Sequence, residues 1–170
     1  PGQRRGSRTR TEVSAGDAAA RIVAAPLAEL GPMDVHALYK LRVDVFVAEQ
    51  DCPYAEIDDV DADPGTMHLL AWAPGPDGEE LAATLRVFGS DVHGGVMHLG
   101  RVCTHPDRRG NGIAARLVRR GLALCGDRPV EIGAQSYLER WYEQFGFVRC
   151  GEEYLDERIP HVPMRRDPAS

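Results

Sequence analysis

Between Val102 and Leu124 an apolar run breaks at Arg108-Arg109-Gly110-Asn111-Gly112. It resumes as an amphipathic repeat with Ile113, Leu117, Gly121 and Leu124 on one face. This order of strand, glycine turn and helix constrains the chain more than any other feature. Free amide N–H groups at a helix N-terminus point outward, and the helix dipole adds about half a positive charge there, so such a turn is an anion site. Gly110 and Gly112 lack a Cβ, which lets the backbone approach a pyrophosphate and adopt conformations that other residues resist. Arg108 and Arg109 bring fixed charge to the same turn. The segment predicts a loop for a phosphorylated cofactor.

Three phosphate loops compete for this reading. A P-loop requires a lysine followed by Ser or Thr at the helix start, but the chain's single lysine is Lys40, and Ile113-Ala114 occupies that place. The dinucleotide fingerprint G-x-G-x-x-A fits Gly110 to Ala115, with Glu131 downstream. In that fold, however, the first glycine follows its strand directly. Here Thr104 to Arg109 intervene, Glu131 begins the next strand, and too little chain remains for a doubly wound sheet. The third pattern, R-x-x-G-x-A, is met by Arg109, Gly112 and Ala114. It resembles the acetyl-CoA loop of the GNAT superfamily of N-acetyltransferases.

Further motifs extend the resemblance. Tyr142-Glu143-Gln144-Phe145-Gly146-Phe147 resembles the Y-E-x-x-G-F ending of the last GNAT helix. Leu41 to Asp63, Gly133 to Phe147, and Ile159-Pro160-His161 followed by Met164 look like the ElaA-like branch. Together they cover roughly residues 20 to 166. The resemblance implies an α+β GNAT fold, a single mixed sheet in the order β-α-β-β-β-α-β-α-β-β with helices on both faces. It implies acetyl-CoA as co-substrate, transferred directly to an amine without a covalent enzyme intermediate. The strand through Val102, Cys103 and Thr104 and the strand from Val130 to Ala134 are then expected to splay, freeing backbone groups for pantetheine. Arg109, Gly110, Asn111, Gly112, Ile113 and Ala114 are expected at the pyrophosphate. Tyr142 matches the tyrosine that protonates the departing thiolate, a general-acid role suited to its hydroxyl. For the general base the best candidate is Glu49, followed by His68, His98 and His161. Cys103 as an acyl-carrying nucleophile is disfavoured, because nothing identifies an activating base beside it. Two rivals are an acyl-homoserine-lactone-synthase-like enzyme, whose fold is related, and a non-catalytic acyl-CoA-binding sensor.

Length and composition set the remaining expectations. A chain of 170 residues is most simply one domain, large enough to bury a core without staples. Residues 18–168 are assigned to it. Residues 1–17, PGQRRGSRTRTEVSAGD, are Arg/Gly/Ser-rich without apolar periodicity and read as a disordered tail or expression remnant. Cys52, Cys103, Cys125 and Cys150 form no C-x-x-C pair, so a reduced, cytoplasmic protein without a metal is expected; zinc on Cys150 and His161 lacks ligand spacing. The net charge of −6 argues against nucleic-acid binding, and the absence of a long apolar run argues against a membrane partner. The expected partner is a small-molecule or peptide amine, with the protein a monomer or homodimer. Charge is also segregated: +5 from Arg101 to Arg120, and −8 from Asp44 to Asp63 with no base. The acidic stretch, Glu56, Asp58 and Asp59 included, is a candidate for steering a cationic acceptor.

Hydrophobic periodicity predicts a strand at Arg21 to Ala25 and a helix from Gly31-Pro32 to about Val47. A hairpin of His68 to Ala73 and Leu81 to Phe88 follows, then a strand from Val96 to Thr104. Beyond the glycine turn come a helix to Leu124, a strand from Val130 to Ala134, a helix from Tyr137 to Phe145, and strands from Phe147 to Tyr154 and Val162 to Arg166.

Overall fold

The computed structural model describes residues 20–90 and 95–168; the expected tail lies outside them. A strand, β1 (Arg21–Ala25), precedes the helix α1 (Pro32–Arg42), which passes without a break into a π-helical segment at Val43–Glu49. A short α2 (Asp59–Ala62) leads into the meander β2 (Met67–Gly75), β3 (Gly78–Ser90) and β4 (Val96–Thr104). Then come α3 (Ile113–Cys125), β5 (Val130–Gln135), α4 (Glu139–Glu143), β6 (Val148–Arg149), β7 (Tyr154–Asp156) and β8 (Ile159–Arg166). One sheet runs β1-β2-β3-β4-β5-β8-β6, with β7 also on β8. Every pairing is antiparallel except β4 with β5. That parallel pair needs a crossover, and α3 supplies it.

Successive strand residues point to opposite faces, and here both faces are apolar. Leu69 packs with Leu85, Leu99, Ile113, Leu117 and Met164 under α3, while its neighbour Leu70 packs with Leu38, Leu41, Val45 and Cys103 under α1. The sheet is thereby covered on both sides, as expected. Gly121 sets the closeness of α3: a Cβ there would lie 3.2–3.3 Å from Leu99, Val87 and Leu85. No helix among the described residues is long and apolar enough to cross a membrane.

Three expectations need correction. The strand predicted from Phe147 to Tyr154 is two strands, β6 and β7, which makes eight strands among the described residues. The cause is Pro163 on β8: its carbonyl accepts from the Cys150 amide at 2.9 Å, but it has no N–H to return, so the ladder stops there. The predicted first helix loosens after Arg42 into π turns, the amide of Cys52 reaching back to the Val47 carbonyl at 3.2 Å. Apolar periodicity cannot register this change, because Val45 still meets the core. The last predicted helix is shorter, with a 3₁₀ turn at Ser136–Leu138 followed by α4.

Candidate active site

β4 and β5 pair at only two positions, Met97 with Val130 and His98 with Glu131. Beyond them the strands diverge, as expected of the splayed pair. β4 stays laddered to β3 as far as Thr104, and β5 to β8 as far as Gln135. Between them opens a cleft of about 1190 Å³ lined by Val102, Cys103, Thr104, Ile132 and Gly133. A bulge helps turn β4 away. Its register slips between Cys103 and Gly100, and Arg101 takes a left-handed φ of 52°, a conformation that costs about 1–2 kcal/mol for a residue with a Cβ.

The glycine turn closes one end of the cleft. Gly110 and Gly112 have φ of 81° and 82°, with nothing within 4 Å of where a Cβ would stand. Gly112 is the N-cap of α3 and no side chain caps the helix, so its first amides are left for a ligand. Gly110, Gly112, Ile113 and Ala114 line the cleft here. Asn111 is exposed at the tip and outside that lining. The donor set fits an anionic diphosphate.

The two arginines part company. Arg108 lines the cleft but bonds Glu80 and the Pro74 carbonyl (2.6 Å) on the β2–β3 hairpin, so its charge is already paired there. Arg109 makes a bidentate pair with Glu49, 2.7 Å on each nitrogen, and also donates to the Thr104 carbonyl at 3.2 Å. Hydrogen bonds from Arg109 hold the Glu49 carboxyl below its usual range. Glu49, expected as a free proton acceptor, is engaged as a clamp on Arg109.

Tyr142 is buried and lines the cleft, with edge-to-face contacts to Trp141 at 4.8 Å and Phe147 at 5.9 Å. Burial pushes its phenol up, so it is protonated throughout the ordinary pH range, the form a general acid needs. Cys103 packs in the core under α1, and burial pushes its thiol up as well.

The opposite wall holds groups that sequence reasoning missed. Gln50, just past the π segment, and Gln135, at the end of β5, exchange amide hydrogen bonds of 3.2 and 3.4 Å. Tyr154 lies over Gly133, where any Cβ would collide with its hydroxyl, and stacks on His161. The bare Gly133 within a strand was the available signal. His68 lies outside this wall, fully buried, its Nε2 donating to the Asp61 carbonyl at 2.9 Å. His98 stacks on Phe88.

Comparison with known proteins decides the family. Residues 48–168 match the family model described as an acetyltransferase (GNAT) domain. Protein ElaA of Escherichia coli is 36% identical over 143 residues, covering 82% of this chain and 91% of that protein. The chain belongs to the GNAT superfamily, in its ElaA-like branch. A UPF0039 protein of Mycobacterium tuberculosis is 49% identical over 138 residues (79% of this chain, 86% of the relative). The crystal structure of an acyl-CoA N-acyltransferase from Pseudomonas aeruginosa superposes with a TM-score of 0.79 at 38% identity, covering 86% of this chain and 99% of that one. A CoA-dependent acyl-homoserine lactone synthase, at 20% identity and a TM-score of 0.67, shares the fold alone.

In this GNAT domain two of the three acids singled out for steering, Glu56 and Asp58, are engaged by arginines of the protein itself. Arg42, 1% exposed, donates to Glu56 (2.6 Å) and Asp61 (2.7 Å). Arg86 donates to Asp58 (2.6 Å) and Asp61 (2.8 Å), and Arg101 pairs with Glu56 (2.9 Å) and Asp58 (3.3 Å). Glu56, Asp58 and Asp61 are therefore spent inside the protein against three arginines; Asp59 alone of the proposed steering trio stays exposed. Their substitution would test folding, not acceptor affinity. Among the described residues no group of three or more His, Cys, Asp or Glu could hold a metal ion.

The network also sets a pH response. Burial would raise Asp61, but hydrogen bonds from Arg42 and Arg86 overturn it and hold the carboxyl at about 2, from an ordinary 3.8. A depressed carboxylate contributes stability that is present above its unfolded value and lost as pH falls toward its folded one. The difference corresponds to about 2 kcal/mol. Calorimetric Tm is expected to hold from about pH 6 down to 4 and to fall steeply between about pH 4 and 2. A flat Tm across the lower interval would show that the network does not couple to folding.

Proposed function

We propose that this protein is an acetyl-CoA-dependent N-acetyltransferase acting on a primary amine. The observation that carries the reading is the cleft between β4 and β5, closed at one end by an uncapped glycine turn. Free strand edges suit the amides of pantetheine, and the amides of Gly112 and Ile113 suit the pyrophosphate. Backbone carries most of that binding, with Arg109 beside it in its pair with Glu49. The amine attacks the thioester carbonyl directly, with no acyl-enzyme, since Cys103 is buried and protonated. Positioning in the cleft supplies much of the rate. Tyr142 donates its proton to the departing sulfur. The homoserine-lactone-synthase reading rests on shared fold only, and acetyl transfer to any amine excludes the sensor reading. Acetyl-CoA-dependent thiol release across a panel of amines tests the proposal; release no faster than without amine overturns it.

Tyr142→Phe is expected to lower kcat about 100-fold while acetyl-CoA affinity stays within about twofold, because only a hydroxyl used in the transition state is lost. Pre-steady-state thiol release and calorimetry check the two halves. An unchanged chemical step would leave Tyr142 a packing residue.

A further inference from the structure

We infer that His161 is the group that takes the proton from the acceptor amine, an inference that rests on the acetyltransfer reading. Its ring is half-buried and lines the cleft. Nδ1 lies 2.8 Å from the Ile159 carbonyl. A carbonyl oxygen can only accept, so Nδ1 carries the hydrogen, and the neutral ring keeps its lone pair on Nε2. Tyr154 stacks on the ring at 5.8 Å and 27°, which fixes its plane. On the sheet His161 stands opposite Gln135, whose side chain meets Gln50 across the cleft. An orienting partner on one nitrogen and an open lone pair on the other is the arrangement of a general base.

The other candidates lack it. Glu49 is clamped by Arg109, His68 is fully buried away from the cleft, and His98 stacks on Phe88 with no hydrogen bond among the described residues on either ring nitrogen to set its tautomer. The titratable groups around His161 are Tyr154 and Asp156 on β7, Glu157 in the β7–β8 turn, and Cys52, whose thiol donates to the Glu157 carbonyl at 3.1 Å. Further along the same face Glu131 is paired with Arg165 at 2.8 Å.

The proton balance is simple. An ammonium gives one proton to Nε2 of His161. The neutral nitrogen then forms its bond to the acetyl carbon as the carbon–sulfur bond breaks. The proton lost by the acylated nitrogen replaces, through solvent, the one that sulfur takes from Tyr142. His161 returns its proton to water.

The test uses the full chain with acetyl-CoA and four amines: spermidine, agmatine, lysine methyl ester and glycylglycine. With whichever amine turns over, His161→Gln is expected to lower kcat/KM about 100-fold at neutral pH. Acetyl-CoA affinity should stay within twofold, and the acid limb of the pH profile should be lost. Nitrogen-15 imidazole NMR of the wild type provides a second measure independent of how the variant folds: His161 must be the Nδ1–H tautomer and titrate at the midpoint of that acid limb. Wild-type transfer with the limb intact in the variant, or an Nε2–H tautomer, overturns the role of His161 alone. Wild-type transfer to none of the amines overturns the acetyltransfer reading, and this inference with it.

Discussion

Arg42→Met is expected to destabilise the protein by about 3–5 kcal/mol, read as a shift in the denaturation midpoint with the slope unchanged. Methionine fills much of the arginine's volume, so the loss is not chiefly a cavity. What it removes is the partner of two carboxylates that cannot reach water: Glu56 is 3% exposed and Asp61 1%. The Glu56 carbonyl also loses the nearer of its two donors, keeping Arg101 at 3.3 Å. Arg86 and Arg101 still face the acids, which keeps the expected loss from being larger. Asp59→Asn, on an exposed residue of the same acidic stretch, is the comparison and should change stability by less than about 0.5 kcal/mol. Equal effects at the two positions would mean that the buried network carries no special weight.

Gly112→Val is expected to weaken acetyl-CoA binding about 100-fold or more, about 2.7 kcal/mol by calorimetry. A β-branched residue at φ 82° strains the turn, and relieving the strain rotates the amides away from the cleft. Space is no obstacle in the free protein; the side chain intrudes only where the diphosphate is to lie. Arg109→Ala should cost less than about tenfold, because its guanidinium is already satisfied by Glu49 and half exposed, and such pairs are worth little. Wild-type binding by Gly112→Val would show that this turn does not hold the cofactor.

The glycine turn was legible because its chemistry is local: two glycines, an arginine and a helix start lie within a few residues. The order of strands and the splay followed from the family resemblance that those residues opened. The partners of the arginines were not legible. Arg108 and Arg109 are adjacent in the chain yet reach Glu80 and Glu49 on different elements, and which way each turns depends on tertiary placement. The acidic stretch was legible only in part for the same reason. Of its eight acids, Asp44, Glu49, Asp51, Asp59 and Asp63 are exposed as a solvated surface would be, but Glu56, Asp58 and Asp61 meet Arg42, Arg86 and Arg101, which arrive from three separate elements. His161 was visible in the Ile159-Pro160-His161 motif and as the last of four candidate bases, without a sign that would rank it first. Its hydrogen bond to the Ile159 carbonyl, two residues back on β8, depends on a rotamer that the sequence does not announce.

The two register pairs joining β4 to β5 also bear on how the protein holds together. The sheet is two antiparallel blocks, one ending at β4 and the other beginning at β5, welded along a short seam and bridged by α3. Each ladder bond the seam forgoes is worth about 0.5–1.5 kcal/mol in a folded protein. A ligand whose own amides span the gap restores them, so binding completes the sheet. The unliganded protein should therefore be least cohesive along this line, and its C-terminal block the first to gain hydrogen-exchange protection when the cleft is filled.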